Sequence, residues 1–208
     1  MDLFEAIKGR RSYRSFSSRK VDNEKIDKIL DAGNWAPSPA NSQPWEFIVI
    51  TSANARERLF KFSNKAMENE SVEIHGFSYV RPVPYEDEGD EQKAGLARYP
   101  IKFLKKVPVI IAVVGLPQTG IRQKIQEKAH DGYKYACAAA IQNMLLAAQA
   151  QELASLWFTM FDSSVVSQYL NLDNSKHLIA FVCIGYPDDH KPDSPGRVSF
   201  KNKVRRID

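Results

Sequence analysis

The sequence predicts an α+β fold in which helices flank one central, mixed β-sheet. Short runs rich in Val, Ile, Phe and Trp, each of strand length, fall at 46–51, 107–115, 155–160 and 178–185. Stretches of helical period at 22–33, 54–67 and 131–151 separate them. The 208 residues are 43% hydrophobic, enough for one good core, and no Pro/Gly/Ser-rich linker divides them. A single domain spanning 1–208 is therefore expected.

Taken in order, Asp2 with Glu5 three residues on forms a capping box that opens a short helix with the apolar stripe Leu3, Phe4 and Ile7. Asp22 can cap a second helix. Val21 and Ile26 are spaced as a hydrophobic staple, Ile29, Leu30 and Ala32 continue the buried face, and Gly33 marks its end. A turn-rich segment, 37–44, leads into the first strand, and a helix follows over 54–67. Residues 71–100 mix three prolines with the acidic residues Glu86, Asp87, Glu88, Asp90 and Glu91 and keep no period, which reads as an excursion or lid. In the helix 131–151, alanines and large apolar residues occupy nearly every face. Such a helix needs cover on all sides. A second copy of the chain would supply it, and wrapping by the chain's own sheet is the alternative.

Lys and Arg number 29 against 25 acidic residues, a net +4. That suits an anionic small ligand and falls short of the charge of a dedicated nucleic-acid binder. Cys137 and Cys183 sit in apolar runs with no CxxC spacing and read as buried small hydrophobes in a reducing compartment. The longest apolar stretch, 107–116, is far short of a membrane span, so a cytoplasmic protein is expected. His75, His130, His177 and His190 show neither metal-ligand spacing nor a triad, so no metal is expected.

Three segments can carry chemistry. Arg10, Arg11, Ser12 and Arg14 put three guanidinium groups and a hydroxyl within five residues. Guanidinium forks match phosphate oxygens, although a solvated basic face has the same composition. In 36–45, prolines stiffen a loop bearing Ser38, Asn41, Ser42 and Gln43, which suits a planar heterocycle with donors and acceptors on one edge. An ordinary Pro/Ser loop remains the plain reading. Pro195, Gly196 and Arg197 could return a further guanidinium to the same anion or belong to a basic tail with Lys201, Lys203, Arg205 and Arg206.

In this order the segments resemble the nitroreductase family of FMN flavoproteins, over nearly the whole chain. Residues 10–16 match that family's R-R/H-S-x-R/K-x-F, and 36–45 match A-P-S-x-x-N-x-Q-P-W. The helix 131–148, with Gln142 and Asn143, resembles the family's interface helix. The resemblance implies a mainly antiparallel sheet, an intertwined homodimer, and FMN as cofactor with NADH or NADPH as co-substrate. Electrons would pass through flavin N5 to a small acceptor, a nitroaromatic, quinone or similar, by a ping-pong mechanism.

Residue by residue, the resemblance places Arg10, Ser12 and Arg197 on the FMN phosphate, with Arg11 assisting. Arg14 faces the N1/O2 edge, where a fixed cation raises the reduction potential, and Lys102 joins it. Pro37, Ser38, Pro39 and Asn41 reach the flavin bound mainly by the partner. Thr159 and Met160 pass N5.

The chain departs from the family where many relatives carry G-L-G-x-x-W-x-G-G-F and this sequence reads from Glu152 through Trp157 to Phe161. A threonine hydroxyl near N5 is a feature of the deiodinase-like branch and would favour one-electron steps, so a deiodinase-like or other specialised flavin branch is the alternative within the family. No acid or base is required of the protein. A basic nucleic-acid-binding module is the competing reading from another class, and the modest charge argues against it.

Overall fold

The computed structural model describes residues 1–68, 101–117, 131–159, 161–189, 192–194 and 196–207. The segment 71–100 and Met160 lie outside them. Among the described residues, five helices, α1 (Leu3–Gly9), α2 (Asn23–Asn34), α3 (Ala53–Glu68), α4 (Gly132–Ala150) and α5 (Ser163–Tyr169), surround four strands, β1 (Trp45–Ile50), β2 (Val109–Gly115), β3 (Ala154–Phe158) and β4 (His177–Gly185). The sheet order is β1-β2-β4-β3 and every ladder is antiparallel. Among the described residues, parallel pairing, the remaining part of the expected mixed sheet, is confined to one bridge between Ser12 and Ser155.

All seven residues of β2 are buried, because both faces of the sheet are covered. Successive side chains alternate between faces. Val109, Ile111 and Val113, with Ala180, Val182 and Ile184 of β4, pack under α4 and α2. Ile110, Ala112 and Val114, with Phe181 and Cys183, meet Leu59 of α3, Leu104 and Val166 of α5. Cys137 and Cys183 are both buried and unbridged, as expected.

Local signals explain the starts of α1 and α5, whereas Asp22 stands at the N-cap of α2 without the expected side-chain hydrogen bond. The Asp2 carboxylate accepts from the Phe4 N–H at 2.8 Å, and Glu5 accepts from the Asp2 N–H at 3.0 Å, completing the capping box. In α5, missed by periodicity because it is only seven residues long, Asp162 caps the N–H groups of Ser164 and Val165.

Two expectations need correction. The stripe Leu3, Phe4 and Ile7 does not face this chain's core. Only Ala6 of α1 is buried, and Phe4 keeps 68% of its surface open. Gly33 lies inside α2 rather than past its end, since a Cβ there would stand 2.5 Å from Met144 Cε. The missing side chain is what lets α2 close on α4.

Candidate functional site

The basic segment is positioned by the edge of the sheet. Past α1, the chain runs beside β3, and the Tyr13 N–H donates to the Ser155 carbonyl at 3.0 Å. The Ser17 N–H then donates to the Tyr186 carbonyl at 3.0 Å. Tyr13 and Phe16 are buried anchors in the lower core, which turns Ser12, Arg14 and Ser15 outward.

The C-terminal segment is laced to this turn. Arg11 Nη2 donates to Ser194 Oγ at 2.8 Å, while Nη1 donates to the carbonyls of Lys8 at 2.6 Å and Arg10 at 2.9 Å. Ser15 Oγ donates to Asp188. The lacing brings Arg197 into the field of Arg10 across 187 residues of chain. Burial first, then the guanidinium groups of Arg197 and Arg11, hold the Arg10 guanidinium below its usual range. Like charges gathered on a half-buried group are unfavourable until an anion joins them. Arg11 adds a buried Nε with no hydrogen-bond partner, while its other nitrogens brace the turn.

The second predicted segment is a strained, self-bonded loop. Its 3-10 turn Pro39–Asn41 carries Ala40 at φ 52° and Asn41 at φ 52°, and Gln43 follows at φ 45°. Left-handed backbone at non-glycine residues persists only where the surroundings enforce it. Here Ser38 Oγ accepts from the Gln43 N–H at 2.9 Å, Trp45 Nε1 donates to Asn34 Oδ1 at 3.2 Å, and Cys137 Sγ donates to the Pro44 carbonyl at 3.4 Å. Pro37, Pro39 and Asn41 are exposed at its tip and Ser38 is half-buried.

Within one chain this loop and the arginine cluster stand apart. The loop enters β1 where Trp45 pairs with Gly115 and Gly115 with His177, whereas Ser155 of the cluster's bridge pairs with Ile184 at the other end of β4. Helix α4 spans the gap. Pro39 sits against Gly132 at its start and Gln149 against Gly9 at its end, roughly 26 Å apart along the helix at about 1.5 Å of rise per residue.

Thr159 follows β3 directly and is exposed. Ser155 points its carbonyl outward to Tyr13, so alternation turns the backbone N–H groups of Trp157 and Thr159 to the same open edge. Lys102 lies in the 3-10 turn Ile101–Lys105 before β2. Sequence reasoning missed Ser194 and Asp188, since nothing local marks a contact made across more than 170 residues. His177 is in a structural bond, its Nδ1 2.5 Å from the Tyr133 hydroxyl.

The arrangement gathers guanidinium groups beside the edge of the sheet, where Ser12 bridges Ser155. The chain belongs to the nitroreductase family, whose model matches residues 7–186. A 5,6-dimethylbenzimidazole synthase of Rhodospirillum rubrum is 26% identical, covering 88% of this chain and 81% of its own. A provisionally named NADH dehydrogenase/NAD(P)H nitroreductase of Archaeoglobus fulgidus is 27% identical, covering 91% and 88%. In fold, an iodotyrosine deiodinase solved with FMN and 3-iodo-L-tyrosine superposes with a TM-score of 0.75 at 21% identity, over 100% of this chain and 99% of that one. The family makes this chain an oxidoreductase of flavoprotein type. Among the described residues, no helix is long and apolar enough to cross a membrane.

Proposed function

We propose that this protein is an FMN-dependent oxidoreductase that takes electrons from NADH or NADPH and passes them to a small acceptor, a nitroaromatic, quinone or similar compound, by a ping-pong mechanism. The observation that carries the reading is that Arg10 and Arg197 share one electrostatic neighbourhood beside the edge of β3, where Ser12 bridges Ser155. FMN fits this donor set. A dianionic phosphate relieves the repulsion among the guanidinium groups, and outward N–H donors lie along the edge beyond it. Bound there, FMN supplies acceptance and release of electrons at N5.

Arg10, Ser12 and Arg197 hold the phosphate while Arg11 keeps their turn in shape. Arg14, exposed just beyond, offers a permanent cation to the pyrimidine edge, with Lys102 as its companion. Thr159 stands at N5, and Met160, expected beside it, lies outside the described residues. Because the loop bearing Pro37, Ser38, Pro39 and Asn41 cannot reach its own chain's cluster, a homodimer with two α4 helices side by side and reversed brings each loop to the partner's flavin. Supporting this are the apolar side chains left open on one copy, among them Phe4, Trp35 at 79% and Phe200 at 70%.

The exposed Thr159 hydroxyl favours a second reading within the same chemistry, a deiodinase-like branch using one-electron steps. The visible spectrum of the purified protein, recorded before and after anaerobic NADH or NADPH, separates the two. Flavin bands that bleach support the first reading; bands that persist remove the nicotinamide donor and favour the second. A protein that takes up no FMN refutes both.

A further inference from the structure

One large aromatic on β3 is used neither by the core nor by the arginine cluster. Ala154, Leu156 and Phe158 turn into the lower core with Phe181 and Cys183, so Ser155 and Trp157 take the opposite face, on which α4 packs. Val182, the cross-strand neighbour of Trp157, is fully buried in that upper layer. Trp157 nevertheless keeps 37% of its surface open, on a strand that ends the sheet among the described residues.

Its neighbours define what could cover it. Two residues before it, Ser155 is bridged to Ser12 of the anion-binding turn. Two residues after it stands Thr159, whose N–H has no backbone partner among the described residues. Trp157 therefore lies along the open edge between a cluster fit for phosphate and a hydrogen-bond donor fit for a heterocycle nitrogen.

We propose that the Trp157 indole is a wall against which the ring system of bound FMN rests, making Trp157 a cofactor-positioning residue. This rests on the FMN reading of the site. An exposed indole is a flat, electron-rich apolar surface, and the flavin ring is flat and electron-poor, so the two gain from offset stacking as well as from shedding water. The stack fixes the ring's tilt relative to the β3 edge and thereby the approach of N5 to Thr159. Leucine at this position keeps apolar bulk and loses the stack; phenylalanine keeps part of it.

The test is FMN titration of the full-length protein, freed of flavin, as wild type, Trp157→Leu and Trp157→Phe, following flavin absorbance and flavin emission together. Wild type is expected to bind with emission strongly quenched by indole contact. Trp157→Leu is expected to raise the Kd by about three- to tenfold and to bind FMN with clearly brighter emission, Trp157→Phe falling between. Thermal melting of the flavin-free variants checks that they fold, and the phenylalanine variant carries the test if the leucine one does not. Wild-type Kd and wild-type emission in both variants overturn the role of Trp157 while leaving the FMN reading intact. A wild-type protein that binds no FMN overturns that reading and the role of Trp157 with it.

Discussion

The N–H of Tyr13 donates to the carbonyl of Ser155 at 3.0 Å, and this contact across 142 residues decides where the first arginines of the chain go. It seats the 10–17 turn on the edge of β3. The bonds of Arg11 to Ser194 and of Ser15 to Asp188 then draw the C-terminal segment onto the same turn. The cluster is thus a product of sheet-edge pairing.

Replacing Arg10 or Arg197 by Gln should weaken FMN binding by roughly tenfold or more, the scale of one hydrogen bond to a charged group. The flavin-free protein should melt no lower than wild type. Arg10 is held below its usual range by burial and by its neighbours, so its charge opposes folding until an anion arrives. Equal FMN affinity in both variants, measured by titration, would remove the cluster from the site.

Glu152 sits at φ 62°, exposed, at a position where many family members carry glycine. The left-handed backbone costs a side-chain-bearing residue about 1–2 kcal/mol, and glycine returns part of that as unfolded-state entropy. Glu152→Gly should gain about 1 kcal/mol and raise Tm by about 2–4 °C. Thermal unfolding decides, and a lower Tm would mean that the glutamate side chain contributes more than the strain removes.

A Cβ on Gly185 would stand 2.7 Å from Pro108 Cδ and 3.0 Å from Phe16 Cδ1. A pyrrolidine ring cannot swing aside, so Gly185→Ala should cost about 1–3 kcal/mol in urea unfolding. Phe16 anchors the arginine turn, and FMN affinity should fall alongside stability. Loss of stability with affinity untouched would show that the turn is held without Phe16.

Burial pushes the Cys137 thiol from 9.0 up to about 12 and the Cys183 thiol higher still. A raised folded-state value contributes stability that is complete below the unfolded value and is lost as pH climbs toward the folded one. Stability should therefore fall between about pH 9 and about pH 12, and less so in Cys137→Ala. At pH 8, a thiol reagent should label neither cysteine in the native protein and both in urea. Rapid native labelling would contradict their burial.

Much was legible in the sequence by itself. Strand-length apolar runs located the four strands of the described residues to within two residues, since a sheet covered on both faces demands unbroken hydrophobicity, as in β2. Asp2 and Glu5 marked the first helix because a capping box is a contact between near neighbours. The order of the arginine turn, the proline loop and Arg197 pointed to the family, because those side-chain types are chosen for phosphate and heterocycle chemistry wherever the chain carries them.

Only the tertiary structure decided the rest. Leu3, Phe4 and Ile7 have helical spacing, but spacing does not say whether a stripe faces its own core or another chain, and here it stays open. Gly33 resembles a helix stop until Met144 arrives from α4 and needs its room. That Arg11 is committed to Ser194, and that Arg10 and Arg197 share one field while the Pro37 loop lies at the far end of the sheet, follow from strand register and helix length. Local sequence encodes local geometry through short-range sterics and hydrogen bonds, whereas the site is assembled by contacts between segments more than a hundred residues apart, which exist only once the sheet has closed.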